Sequence, residues 1–303
     1  MNSIKEVDKT LINDILSYAT HIKKFGPTIQ DNRIFGLLFF EPSTRTCLSF
    51  ESAIHKLGGK VIKLDYNSSS KNKGESDYDT VKTIEKYVDV LIIRHPLRGF
   101  ITTCKTFIKK PIINAGDGYG EHPTQALLDY FTIRDHHGDI CDKETLRVGF
   151  SGDIRHSRTI HSLVYLLEKM NKNIEYTFMS IPELMPQEGD DFQKYVDDKI
   201  FYKYTKCYTM DTNHVKDILK GLDVLYMTRI QKERMDLIPE NSVYTLKLSE
   251  DFIENTKDEL MIMHPLPRND EIPESLDVHP KCKYFDQVEN GVYIRMALLY
   301  LTK

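Results

Sequence analysis

Ser43, Thr44, Arg45 and Thr46 stand in a row after an apolar run at residues 33–40. Hydroxyls and a guanidinium together are the groups that hold an oxyanion. If these residues also open a helix, its unpaired N–H groups and dipole add to the site, which then binds phosphate without a glycine-rich loop. Two more apolar runs end in the same character: Arg94 closes one, and His122 and Gln125 follow the other. Taken singly, each residue has an ordinary reading. Ser43 caps a helix, Arg45 is a solvated charge, Arg94 makes a salt bridge, and His122 and Gln125 hydrogen-bond structure. Three strand ends of one character favour a shared anion site. In the second half, Arg158 follows Ser151-Gly152-Asp153, and Arg229 and Gln231 follow an apolar run ending at Met227. Two guanidinium forks suit a ligand with two carboxylates; the alternative for each is a surface arginine.

Such residues need strands whose carboxyl ends meet, because ligands of open α/β sheets bind there. The sequence repeats one unit: a short apolar run, an abrupt polar or glycine-containing turn, then a helical period. Strands are expected at residues 33–40, 88–94, 111–114, 147–150, 176–180, 222–227 and 260–263. Helices are expected over 1–25, from Cys47 to a stop at Gly58-Gly59, from Pro123, over 159–170 and over 288–301. This is an α/β pattern with parallel sheets, no internal repeat, and a hydrophilic domain boundary at residues 135–144. The pattern is weaker over 171–221, where no function is placed.

At 303 residues the chain is long enough for two domains. The balance of 41 basic and 45 acidic side chains, net −4, gives no basic stripe for nucleic acid. No run of about 18 apolar residues is present for a membrane span. Five scattered cysteines without a C-x-x-C pair exclude a fully paired intrachain framework. With no signal-peptide pattern in residues 1–25, a reducing, cytoplasmic setting is expected, and Asn67-Ser68-Ser69 reads as a polar loop, not a glycosylation site. Dinucleotide, P-loop, zincin and serine-hydrolase motifs are all missing, and His136-His137 are badly spaced for one ion, so neither metal nor cofactor is expected.

Beyond single residues, the chain resembles the aspartate carbamoyltransferases, of the aspartate/ornithine carbamoyltransferase superfamily, along nearly its whole length. The resemblance rests on FEPSTRT at 40–46, KGES at 73–76, RHP at 94–96, NAGDG at 114–118, HPTQALLD at 122–129 and GDIRHSRTIHSL at 152–163. YMTRIQKER at 226–234, MHPLPR at 263–268 and NGVYIRMALL at 290–299 extend it. STRT, RHP and HPTQ are similar to the carbamoyl phosphate signature shared by all carbamoyltransferases. HPLPR and TRIQKER look like the aspartate enzymes; ornithine enzymes typically carry cysteine where Pro265 stands. Cys47 replaces the arginine usual after STRT, Ser157 replaces a common glycine, and residues 181–212 match poorly.

The resemblance implies two α/β domains, each with a central parallel sheet flanked by helices, joined by interdomain helices. Residues 1–134 would form a carbamoyl phosphate domain, to which a C-terminal helix at 286–303 returns, and residues 135–285 an aspartate domain. It implies that Ser43, Thr44, Arg45, Thr46, Arg94, His122, Gln125 and the Leu266 carbonyl bind carbamoyl phosphate. Lys73, Arg158, Thr159, Arg229 and Gln231 would bind aspartate. Catalysis would fall to Arg45, Thr46, Lys73, Arg94 and His122, with Ser69 and Lys73 reaching a neighbouring subunit's site in a homotrimer. The implied activity is carbamoyl transfer to L-aspartate in pyrimidine biosynthesis. Another amine acceptor such as ornithine, or a noncatalytic anion-binding subunit, are the alternatives. A regulatory chain is compatible with the resemblance, but nothing in the sequence indicates one.

Overall fold

The computed structural model describes residues 1–64, 73–138, 145–171, 173–208, 211–231 and 245–302. The main elements in chain order are α1 (Lys9–Phe25), β1 (Ile34–Phe39), α2 (Thr44–Lys56), β2 (Lys60–Lys63), α3 (Asp77–Ile84), β3 (Val90–His95), α4 (Phe100–Cys104), β4 (Ile112–Asp117) and α5 (Pro123–His137). There follow β5 (Leu146–Ser151), α6 (Arg158–Met170), β6 (Ile174–Ser180), α7 (Asp191–Tyr195), β7 (Tyr204–Tyr208), α8 (Thr212–Gly221), β8 (Val224–Met227), α9 (Glu250–Ile253), β9 (Met261–Met263) and α10 (Tyr284–Leu301). Two compact units result, Met1–Phe131 with Glu289–Lys303, and Thr132–Val288. The chain passes between them within α5 and α10.

In the first unit four parallel strands lie in the order β2-β1-β3-β4. Strands β1 and β3 read as unbroken apolar runs because both sheet faces are covered. Phe35, Leu37, Leu38, Leu91, Ile92 and Ile93 are fully buried, and each such side chain contributes about 1.5–3 kcal/mol. Val81 and Ile84 of α3 and Ile101 of α4 pack with Leu38, Leu91 and Ile93. The C-terminal helix returns to the N-terminal one, as expected: Tyr300 stacks on Tyr18 at 4.5 Å, and Lys23 Nζ donates to Asn290 Oδ1 at 2.9 Å.

The helix expected over residues 1–25 begins only at Lys9, where the Asp8 carboxylate accepts the Thr10 N–H. The preceding residues tie down the edge beside β4 instead. The Met1 amine donates to Ile112 O at 2.8 Å, Asn114 N to Met1 O at 2.9 Å, and Ile4 N to Glu121 Oε2 at 2.8 Å.

The second unit holds five parallel strands in the order β7-β6-β5-β8-β9. Val215 and Leu219 of α8 and Ile253 of α9 pack with Leu225 and Ile262 on the sheet. In both sheets the strand order reverses at one place. The chain leaves β1 toward β2 and comes back to β3 on its other side; it leaves β5 toward β6 and β7 and comes back to β8. Such a reversal opens a crevice at the carboxyl ends of the two strands.

Candidate active site

In the first unit the reversal brings together the segments after β1 and β3. Ser43 is the N-cap of α2, in extended backbone, yet its hydroxyl makes no cap hydrogen bond. The caps Ser76, Ser157 and Asp211 all do. Thr44 and Arg45 are exposed on the first turn, and Thr46 is buried. Thr46 Oγ1 lies 3.4 Å from His122 Nε2, and Thr124 Oγ1 lies 3.5 Å from His122 Nδ1. Phe40 N donates to Arg94 O at 2.9 Å, binding the two strand ends, and the Arg94 side chain gives its Nε to Glu41 Oε1 at 2.7 Å. Gln125, nearly buried, gives Nε2 to Asp129 Oδ1 at 2.8 Å.

Asp117 shapes the neighbouring turn by accepting from Gly99 N at 3.0 Å and Glu121 N at 2.9 Å. At Gly118 a Cβ would come 2.4 Å from Pro96 O with φ at +45°, so only glycine fits. Lys73 is exposed before α3 and bonds to none of the other described site residues. Ser69 lies outside the described residues. Cys47 is buried, which pushes its thiol up, while nearby Lys63 donates to Glu51 Oε2 at 3.2 Å.

In the second unit the reversal joins the ends of β5 and β8. Arg158, 4% exposed, begins α6. Ser157 caps that helix at φ −82°, a conformation open to any residue, and its Oγ lies 3.0 Å from Thr159 Oγ1. Serine in place of glycine therefore costs nothing here. The fully buried Asp153 links the loops after the two strands: it accepts from His156 N at 3.0 Å, lies 2.9 Å from His156 Nδ1, and accepts from Gln231 N at 3.2 Å. Arg229, half-buried, gives NH1 to Ile230 O at 3.1 Å. The remainder of TRIQKER, from Lys232 to Arg234, lies outside the described residues.

The loop after β9 carries Leu266 at φ +51°, the one positive φ among the described non-glycine residues. A branched-chain residue rarely adopts this conformation, which typically costs about 1–3 kcal/mol and persists where surroundings impose it. Here they do. Leu266 N donates to His264 Nδ1 at 2.8 Å, so the ring proton sits on Nε2, which donates to Glu271 Oε1 at 2.9 Å. Against the opposing effect of burial, bonds from His264 and Asn269 N hold the Glu271 carboxyl below its usual range.

Arg268 is a brace and not a ligand arm. Its guanidinium grips Asp277 through both terminal nitrogens, NH2 at 2.8 Å from Oδ2, and covers the Tyr284 ring at 5.3 Å. The hydrogen bond from Arg268 draws the Asp277 carboxyl down to about 2. A depressed carboxyl adds stability above its unfolded value, near 3.8, and loses it as pH falls through the folded value. Asp277→Asn should therefore be less stable than the unchanged protein at pH 7, with the gap closing between pH 4 and 2 in denaturant titrations. A gap independent of pH would contradict this.

Glu41, Asp129 and Asp153 were not among the expected site residues, though each holds one. Asp129 had a signal: it lies four residues after Gln125 on a helix, a spacing at which an amide meets a carboxylate. Among the described residues, no group of three or more His, Cys, Asp or Glu side chains could share a metal ion, and no helix is long and apolar enough to cross a membrane.

The same two halves appear in known proteins. Residues 1–135 match the family model of the aspartate/ornithine carbamoyltransferase carbamoyl-P binding domain, and residues 144–302 that of the Asp/Orn binding domain. The chain is 41% identical to the aspartate carbamoyltransferase catalytic subunit of Thermoplasma acidophilum, over 98% of this chain and 96% of that one. It is 39% identical to the multifunctional protein pyr1-3 of Dictyostelium discoideum, spanning 13% of that longer protein. Among solved structures, aspartate transcarbamoylase from Trypanosoma cruzi in complex with N-(phosphonacetyl)-L-aspartic acid superposes with a TM-score of 0.88 at 33% identity, over 99% of this chain and 94% of that one. With both halves matched and a relative this similar along its length, the chain belongs to the aspartate/ornithine carbamoyltransferase family.

Proposed function

We propose that the protein transfers the carbamoyl group of carbamoyl phosphate to the amine of L-aspartate, giving N-carbamoyl-L-aspartate and phosphate, as a cytoplasmic homotrimer in pyrimidine biosynthesis. The observation that carries the reading is that each sheet's reversal point gathers one kind of donor set. Ser43, Thr44, Arg45, Thr46 and Arg94 follow the two strands at the first, with His122 beside Thr46 and Gln125 one turn on from it, and Arg158, Thr159, Arg229 and Gln231 follow the two strands at the second. The first set suits a phosphate with an attached carbonyl, the second a dicarboxylate. The first unit is thus the carbamoyl phosphate domain and the second the aspartate domain. The relatives named aspartate carbamoyltransferase catalytic subunit, and the T. cruzi enzyme in complex with carbamoyl phosphate and aspartate, support the acceptor.

The uncharged amine of aspartate attacks the carbamoyl carbon. A C–N bond forms, the C–O bond to phosphorus breaks, and the departing phosphate takes the amine's proton. Thr46, Arg94 and His122 donate to the oxyanion, Arg45 and Lys73 neutralise the leaving group, and Leu266 turns its carbonyl to the carbamoyl or amino nitrogen. Ser69 and Lys73 act in a neighbouring subunit's site. Donor binds first, and closing the site over it excludes water.

The test offers the purified protein carbamoyl phosphate with L-aspartate and L-ornithine side by side, with its mass read by light scattering. Carbamoyl aspartate alone, from a trimer, is expected. Carbamoyl ornithine would overturn the arginine roles, an active monomer would overturn shared sites, and a folded protein without product would favour a noncatalytic binding subunit.

A further inference from the structure

The Asp129 side chain lies wholly buried one turn along α5 from Gln125, and it accepts Gln125 Nε2 at 2.8 Å. A carboxylate accepts and does not donate, so the Gln125 amide can meet it only through nitrogen, and its oxygen is turned away. Asn in place of Asp129 would impose no such sense. A carboxylate this deep is costly unless hydrogen bonds or nearby charge offset its burial. Arg295 of α10, 3% exposed, is a second buried charge of the same unit: NH1 donates to Gly291 O at 3.1 Å, the guanidinium sits 5.0 Å over the Phe50 ring, and Nε has no hydrogen-bond partner. Burial pulls the Arg295 guanidinium down to about 10, and the negative charge of Asp129 opposes that fall.

Resting on the function proposed above, we infer that Asp129 is the positioning residue that fixes the sense of the Gln125 amide, so that Gln125 Oε1 reads the donor's amino group. A carbamoyl group differs from an acetyl group by presenting NH2 where the other presents CH3, and only the first can donate to that oxygen. Asp129 thereby sets selectivity for carbamoyl phosphate over acetyl phosphate without touching either. Phosphate is held by other residues and does not report the amide's sense.

The experiment measures equilibrium binding of carbamoyl phosphate, acetyl phosphate and inorganic phosphate to the unchanged protein, Asp129→Asn, Asp129→Glu and Gln125→Ala. In Asp129→Asn the carbamoyl-to-acetyl preference is expected to fall about tenfold, the worth of one hydrogen bond, toward the Gln125→Ala value, with phosphate affinity unchanged. Asp129→Glu, which still only accepts, is expected to keep most of the preference. An unchanged preference in a folded Asp129→Asn, or an equal loss in Asp129→Glu, overturns the inference. If Asp129→Asn does not fold, the double variant Asp129→Asn/Arg295→Gln leaves no lone buried charge and carries the same comparison. Because binding is read without turnover, an inactive protein showing the predicted preferences would refute the proposed reaction and not this assignment.

Discussion

Replacing Arg45 with alanine is expected to lower turnover by roughly 10²–10³-fold, the usual loss when one preorganised donor to developing charge is removed, while leaving the folded protein as stable as before. The two halves of that expectation come from one fact: Arg45 is exposed on the first turn of α2. An exposed charge contributes little to folding, typically within about 0.5 kcal/mol, whereas its place beside the unpaired N–H groups of a helix start is where a leaving phosphate gains most. Arg45→Lys keeps the charge and loses the fork, and should recover part of the rate. Steady-state kinetics beside thermal melts decide the matter. Near-normal turnover in Arg45→Ala would remove Arg45 from the chemistry, and a melting point that fell with activity would make its role structural.

Gly152→Ala should be the most damaging small substitution in the second unit. Its φ is +104°, and an added Cβ would stand 1.9 Å from Thr228 O. Backbone strain of about 1–3 kcal/mol then adds to a clash of similar cost, and the obstacle is backbone, which no side-chain rotation relieves. Because Thr228 N also donates to Ser151 O at 2.8 Å, the clash forces apart the loops bearing Arg158 and Arg229. The expected outcome is a fall of roughly 10 °C in the calorimetric transition, with aspartate affinity lost before phosphate affinity. Gly189 is the control: its φ is +93° with nothing within 4 Å of an added Cβ, so Gly189→Ala carries strain alone. Equal effects in the two variants would show that crowding at Thr228 is unimportant.

Strands buried on both faces were legible because nothing but apolar residues can serve there: the runs expected at 33–40, 88–94 and 222–227 became β1, β3 and β8, with ends shifted by a residue or two. Edge strands were not. The β2 sequence KVIK is mostly exposed or half-exposed and β7, YTKCY, buries only Cys207, so neither stood out from a loop. Short α4, α7 and α9 lack the two turns that periodicity needs. The candidate binding residues were legible as donors at strand ends, but the holders Glu41 and Asp153 were not, because such a carboxylate looks like any surface acid until its partner is known. Leu266 gave no signal from its type, since positive φ in a leucine is imposed by the His264 and Glu271 bonds around it.

The first unit is written in two pieces of chain with the second unit between them. On the ribosome this sets a timetable. The sheet from β1 to β4 emerges early, but α10, which packs on α1, follows the whole of the second unit. At about 5–20 residues per second, the early half waits on the order of ten seconds or more with one flank of α1 bare. The second unit, continuous in sequence, can be complete within that interval. The first unit is therefore completed only after the second, and until α10 follows it is the first unit that leaves apolar surface uncovered.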